Sequence, residues 1–265
     1  MRKALMRFVW IIFFILGTGH LYGGVKNPDT FVLATYGTVR TLDPAVCYDG
    51  TGSQRIWTLY ETLVFFDGTH TDRFFPVLAT EVPTRANGGI SNDGRRYTFK
   101  IRKGVRFHQG GELTPEDVAY SLKRHMIVDP DGGPMWMLLE ALTGHASTRD
   151  ESGRIVDGIF EAIDHAVTAR PDRIVLNLPR PYPPLMGILA YTAASVLDKD
   201  WAIAMGCWNG NIADAAKYNN PAPGSEPLQK STNGTGPYRL KKWEPSKQFL
   251  FERFDEYWGP APALR

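Results

Sequence analysis

Cysteine is nearly absent from this chain: Cys47 and Cys207 are the two in 265 residues. Two thiols cannot staple a small disulfide scaffold or build a cysteine-based zinc site. Charge of one sign is missing as well, with 30 basic against 28 acidic side chains and a net charge of +2. That balance gives no whole-chain attraction to nucleic acid or to an anionic membrane. No apolar run approaches the ~20 residues that a membrane-spanning helix needs. Internal repeats, heptads and low-complexity tracts are absent too. What remains is 43% hydrophobic and 12% aromatic, enough to fill a core, so a disordered or fibrous chain is excluded. The length suits one large or two modest domains, and 26 Gly with 19 Pro make it turn-rich.

The first residues follow a different logic. Arg2, Lys3 and Arg7 precede the apolar run from Phe8 to Leu16, and Gly17, Gly19, Gly23 and Gly24 follow it. A charged start, a short apolar middle and a small-residue end make a secretory signal peptide, read here as residues 1–23. Its removal takes away three basic residues and no acidic ones, leaving the mature chain close to neutral. The chain is therefore expected outside the cytoplasm, in the periplasm or on the outer face of the cell membrane. In that oxidising setting Cys47 and Cys207 could form a long-range bridge or stay as separate buried thiols. The spacing leaves both open.

Local patterns predict a mixed α/β chain with antiparallel pieces. Phe31 to Tyr36 alternates like a strand, and Ser53 to Phe66 carries apolar residues at helical spacing. Tyr97 to Arg102 and Val105 to His108 read as strands. Thr114-Pro115-Glu116-Asp117 opens a helix, with a capping hydroxyl, proline at the first helical position and acids at the positive end. A second short helix is expected from Pro134 to Leu142. Ala166–Ala169 and Ile174–Leu178 read as strands around Arg170-Pro171-Asp172-Arg173. Then follow a helix over Pro183–Tyr191, a strand over Ala194–Leu197, a helix over Asp198–Cys207, and strands at Gly236–Lys241 and Phe249–Phe254.

Enzyme signatures do not emerge. A hydrolase needs a nucleophile beside a base that a third group orients. No Gly-x-Ser-x-Gly elbow is present, and Ser121 with His125, four apart on a helix, lacks a third partner. The six histidines never take the paired spacing of common metal sites. Glycines at 104, 110 and 111 lack the lysine of a phosphate loop. No cofactor is implied. Aromatics beside turns, chiefly Tyr36 and Trp136, could instead line a cleft.

Three segments taken together carry a family likeness. Tyr97-Thr98-Phe99-Lys100-Ile101-Arg102-Lys103-Gly104-Val105-Arg106-Phe107-His108 continues through Gly110-Gly111-Glu112-Leu113-Thr114-Pro115-Glu116-Asp117-Val118-Ala119-Tyr120-Ser121-Leu122-Lys123-Arg124. This resembles the signature of the extracellular solute-binding proteins of peptide and nickel ABC importers. Thr41-Leu42-Asp43-Pro44 and Tyr60-Glu61-Thr62-Leu63-Val64 fit that pattern upstream. Asn233-Gly234-Thr235-Gly236-Pro237-Tyr238, Trp243, Glu252-Arg253 and Tyr257-Trp258 fit it downstream.

The resemblance implies a type II periplasmic-binding-protein-like lobe with an extra inserted subdomain. The first lobe would be discontinuous, over 24–50 and 165–265, with the inserted subdomain over 51–164. Family members are longer, and the portion beyond this stretch forms the second lobe, so the chain reads as the N-terminal part of a binding protein. The implied function is capture of a small solute, most simply a peptide, between lobes and delivery to a membrane permease, with no nucleic-acid partner. Nickel, haem or oligosaccharide binding by the same fold is the alternative, and an exported hydrolase is the rival of another class. By position, ligand contacts would fall at Tyr36, Gly37, Thr38, Val39, Met135, Trp136 and Asn233. Met135 stands where many peptide binders of the family carry a tyrosine after the proline.

Overall fold

The computed structural model describes residues 27–264; the signal peptide expected over 1–23 lies outside them. The chain divides into a small unit, whose described parts are 27–34 and 263–264, and a large unit, Thr35–Pro262. In the small unit Phe31, Val32 and Leu33 are well exposed and form no strand, contrary to their alternation. A strand needs a neighbour to take its N–H and C=O groups. Among the described residues no strand pairs with this stretch.

The large unit starts its regular structure at α1 (Gly50–Leu59), where the Asp49 carboxylate accepts the Gly52 amide at 2.7 Å. The helix ends seven residues before the sequence pattern suggests. Beyond it, Thr62 and the run Val64-Phe65-Phe66 favour extended backbone. They form β1 (Val64–Phe66), antiparallel to β2 (Phe74–Pro76). β3 (Arg96–Lys100) follows, and Gly104 then turns the chain at φ +74°.

Next comes α2 (Pro115–Val128), the most deeply buried helix. The Thr114 hydroxyl accepts the Asp117 amide, and the Asp117 carboxylate accepts the Thr114 amide at 2.8 Å. This reciprocal cap satisfies two otherwise orphaned donors. Val118, Leu122 and Met126, spaced by four, are fully buried on one face. Ser121 donates to the Asp117 carbonyl at 2.6 Å and accepts the Leu197 amide at 3.0 Å, which makes it a packing brace. Thr114→Ala should lower stability by about 1 kcal/mol; an unchanged urea midpoint would exclude the cap.

Further on lie α3 (Trp136–Thr143), α4 (Ile159–Ala166), β4 (Val167–Arg170), β5 (Arg173–Asn177), α5 (Leu185–Leu189), a 3-10 turn at Thr192–Ala194, and α6 (Lys199–Ala204). A second 3-10 segment, Ile212–Tyr218, precedes the hairpin of β6 (Tyr238–Glu244) and β7 (Gln248–Arg253). Ala194–Leu197, expected as a strand, forms no ladder; Val196 instead donates to the Glu61 carbonyl at 2.9 Å.

The central sheet has the order β3-β5-β4, all antiparallel, with Tyr97 opposite Leu176 and Phe99 opposite Ile174. These four side chains are buried and α2 packs against the sheet, giving one continuous core. The sheet therefore joins a strand from the expected subdomain, 51–164, to two strands of 165–265.

Two polar knots lock the unit. Asp43 and Arg124, both buried, pair through two bonds of 2.7 and 2.5 Å. The Glu61 carboxylate accepts from the Thr235 hydroxyl, the Tyr257 hydroxyl and the Trp258 indole, each at 2.8 Å. Burial raises the Glu61 pKa against the pull of those donors. Nearby, Gly234 passes so close to α1 that an added Cβ would lie 2.2 Å from the Leu59 carbonyl oxygen.

Candidate functional site

The loop from Thr35 to Arg40 lies against the first turn of α1 and encloses an open cleft of about 640 Å³. Tyr36, Gly37 and Thr38 line one wall; Asp49, Gly50, Thr51 and Gln54 line the other. Gly37 is required by this approach, because a Cβ there would sit 2.2 Å from the Thr51 hydroxyl. Tyr36 is fully exposed at the rim. Arg40 and Asp49 give the cleft one charge of each sign, and Asp49 is held in place by its cap to Gly52.

Of the residues singled out from sequence, Tyr36, Gly37 and Thr38 come together here. Val39 is partly buried and packs on the core. Trp136 is 42% exposed and donates its indole N–H to the Tyr48 hydroxyl at 3.2 Å. Met135 is fully buried, its side chain part of the core beneath α3. Asn233 is buried as well: its side-chain oxygen accepts the Gln109 amide at 2.9 Å and its nitrogen donates to Asp198 at 3.2 Å. Both of its polar atoms are thus used in bracing the chain. Arg40, Asp49, Thr51 and Gln54 were not found from sequence. The capping role of Asp49 ahead of Gly50-Thr51-Gly52 is the signal that would have placed it at a helix start.

The bridge left open between Cys47 and Cys207 is not formed: both are free, buried thiols. The Cys47 sulfur contacts the Asp49 carboxylate at 3.8 Å, and Cys207 lies beside Arg124. Burial pushes the Cys47 thiol up to about 11, which keeps it protonated and unreactive. Among the described residues no cluster of three His, Cys, Asp or Glu side chains could hold an ion. Among them, also, no helix is long and apolar enough to cross a membrane.

An α/β lobe with an open polar cleft is a build that suits the capture of a solute. The chain belongs to the bacterial extracellular solute-binding proteins, family 5, whose middle-region model matches residues 73–265. Among curated relatives, the dipeptide-binding protein of Escherichia coli (strain K12) is 27% identical over 185 residues, 66% of this chain and 29% of that protein. Protein XP55 of Streptomyces lividans is 27% identical over 248 residues, 92% of this chain and 35% of that protein. Among solved structures, the periplasmic binding protein DppA of Helicobacter pylori, in complex with the peptide STSA, superposes with a TM-score of 0.60 at 24% identity. That match covers 86% of this chain and 39% of the other, and establishes the shared fold. The chain thus spans about a third of the length of the curated relatives it matches. Two of these three, the Escherichia coli and Helicobacter pylori proteins, are named as binding proteins. Membership in an extracellular family agrees with the secretory pattern of the first residues.

Proposed function

We propose that this chain forms the cleft-bearing lobe of an extracytoplasmic solute-binding component of an ABC importer, which captures a short peptide and hands it to a membrane permease. The cleft between Tyr36–Thr38 and the start of α1 carries the reading. Its walls offer main-chain groups, hydroxyls, an amide side chain and both signs of charge, with Arg40 and Asp49 suited to the two ends of a zwitterion. The proteins it resembles include ones described as dipeptide-binding and peptide-bound. Capture requires no bond making, so the function is binding and not catalysis. Enclosure of the peptide would come from closure onto a second lobe, a shift of population toward the state the ligand favours.

Calorimetric titration of the chain with a panel of dipeptides and tripeptides tests this. Saturable binding is expected, weakened roughly tenfold by Arg40→Gln, since a charge-assisted hydrogen bond contributes about 1.5–3 kcal/mol. Peptide binding that is indifferent to Arg40→Gln would remove that arginine from the site. A panel with no binding member would overturn the peptide reading.

A further inference from the structure

The outer face of the central sheet runs against the usual pairing of charge. Tyr97, Phe99, Ile174 and Leu176 point into the core, so the residues between them point to the opposite side. At one end of that side Lys100 stands directly opposite Arg173 on β5, and Arg173 directly opposite Arg170 on β4. Three cations thus share one row across all three strands. Directly opposed side chains have Cβ atoms about 5 Å apart, and like charges so placed destabilise a sheet. Lys100 is answered from outside the row by Glu81 at 2.9 Å, and Arg173 by the adjacent Asp172 at 2.7 Å. Arg170 is exposed and has no ion pair among the described residues. Lys103, exposed just past β3, adds a fourth cation near Asp172. The Asp172 carboxyl is held below its ordinary value first by its bond to Arg173, and further by the Lys103 charge.

A row of like charges that costs stability, with two of its four cations unanswered, points to something outside the fold that they meet. The chain as a whole is nearly balanced, so the excess is local. The neighbouring row of the same face, Thr98, Val175 and Thr168, is short and half-buried. Among the described residues, none of the large exposed apolar side chains lies on this sheet. A protein partner is gripped mainly through buried aromatic and arginine anchors seated in pockets, and this face carries no aromatic anchor. A broad anionic surface needs only positive charge held towards it. The chain belongs to an extracellular family, which leaves the outer headgroups of a membrane within its reach. We propose that the Lys100–Arg173–Arg170 row, with Lys103, docks the chain on anionic phospholipid headgroups through charge alone. None of these residues lines the cleft, so the docking face and the cleft are separate.

Vesicle sedimentation tests this, with phosphatidylcholine alone and with phosphatidylglycerol mixed in. At low salt the chain should partition roughly tenfold more strongly onto the anionic vesicles, since each basic side chain near such a surface contributes. That preference should fade as salt is raised, because exposed charges are screened. Lys103→Gln combined with Arg170→Gln should bring the preference toward one. The urea midpoint of that variant should hold or rise, since a like-charge contact is relieved. Lys230→Gln combined with Lys247→Gln removes as much charge from exposed positions outside the sheet and should keep the preference. Equal loss in the two double variants would mean that net charge alone attracts the lipid, and would overturn the row. No preference for anionic vesicles in the unaltered chain would overturn it as well. So would release by inorganic phosphate at an ionic strength where chloride leaves the chain bound, which would make the row a free-phosphate site.

Discussion

Asp43→Asn should cost this chain about 3–5 kcal/mol of unfolding free energy, the usual penalty for stranding a buried charge. Asp43 and Arg124 are both inaccessible to solvent and joined by two short bonds. Burial alone would raise the Asp43 pKa, but the guanidinium, its hydrogen bonds and the Ala45 amide overcome this and hold it below the usual carboxylate range. Arg124 is raised in turn by the same partner against its own desolvation. Removing the carboxylate charge leaves the arginine with no counter-ion. Pairing Asp43→Asn with Arg124→Met should recover part of the loss, since no unpaired charge is then left buried. Urea unfolding of the two singles and the double decides it. A single-substitution loss below about 1 kcal/mol would mean that the site relaxes to admit water.

That pair also shows where sequence reasoning stops. Thr41-Leu42-Asp43-Pro44 is read as a turn, correctly as far as it goes, because the turn chemistry is local. The role of Asp43 is set by Arg124, 81 positions away. Elements whose signals are local were legible: the Thr114–Asp117 cap, the apolar face of α2, and the hairpin of β4 and β5 around Pro171. Elements decided by pairing were not. Phe31–Tyr36 has the alternation of a strand but no neighbour among the described residues, whereas Val64–Phe66, taken for the end of a helix, is a strand because Phe74–Pro76 lies beside it. The site divides in the same way. The likeness to solute-binding proteins pointed to Tyr36, Gly37 and Thr38, which do line one cleft. It could not say that Asn233 has both polar atoms committed to Gln109 and Asp198, or that Met135 faces inward while its neighbour faces solvent.

Acid should destabilise the protein well before its lowered carboxylates titrate, and two buried histidines are the cause. His108 Nε2 lies 2.9 Å from the Gly236 carbonyl and His125 Nδ1 lies 2.9 Å from the Ala193 carbonyl, so each of these nitrogens carries the proton and donates it. The other ring nitrogen of each is buried without a hydrogen-bond partner. Charging either ring would add an N–H with no acceptor in a desolvated site. Burial lowers His108 to about 4, with Arg239 adding to the effect against the Gly236 bond; it lowers His125 to about 3, with Arg124 adding to it against Asp43 and the Ala193 carbonyl. A histidine depressed in the folded state binds fewer protons there than in the unfolded chain. Stability therefore falls as pH drops below the unfolded value of about 6.5 and continues to fall until the folded value is reached. Between about pH 7 and about pH 5, each histidine should remove about 2 kcal/mol by this linkage. Glu61 and Asp117, raised chiefly by burial, act in the opposite sense, gaining stability as they take up protons, so the net slope should be somewhat shallower. Urea unfolding at the two pH values should show the loss in the native chain, and His108→Gln with His125→Gln should flatten it. A native chain equally stable at both would mean that the two rings accept their protons without loss of packing.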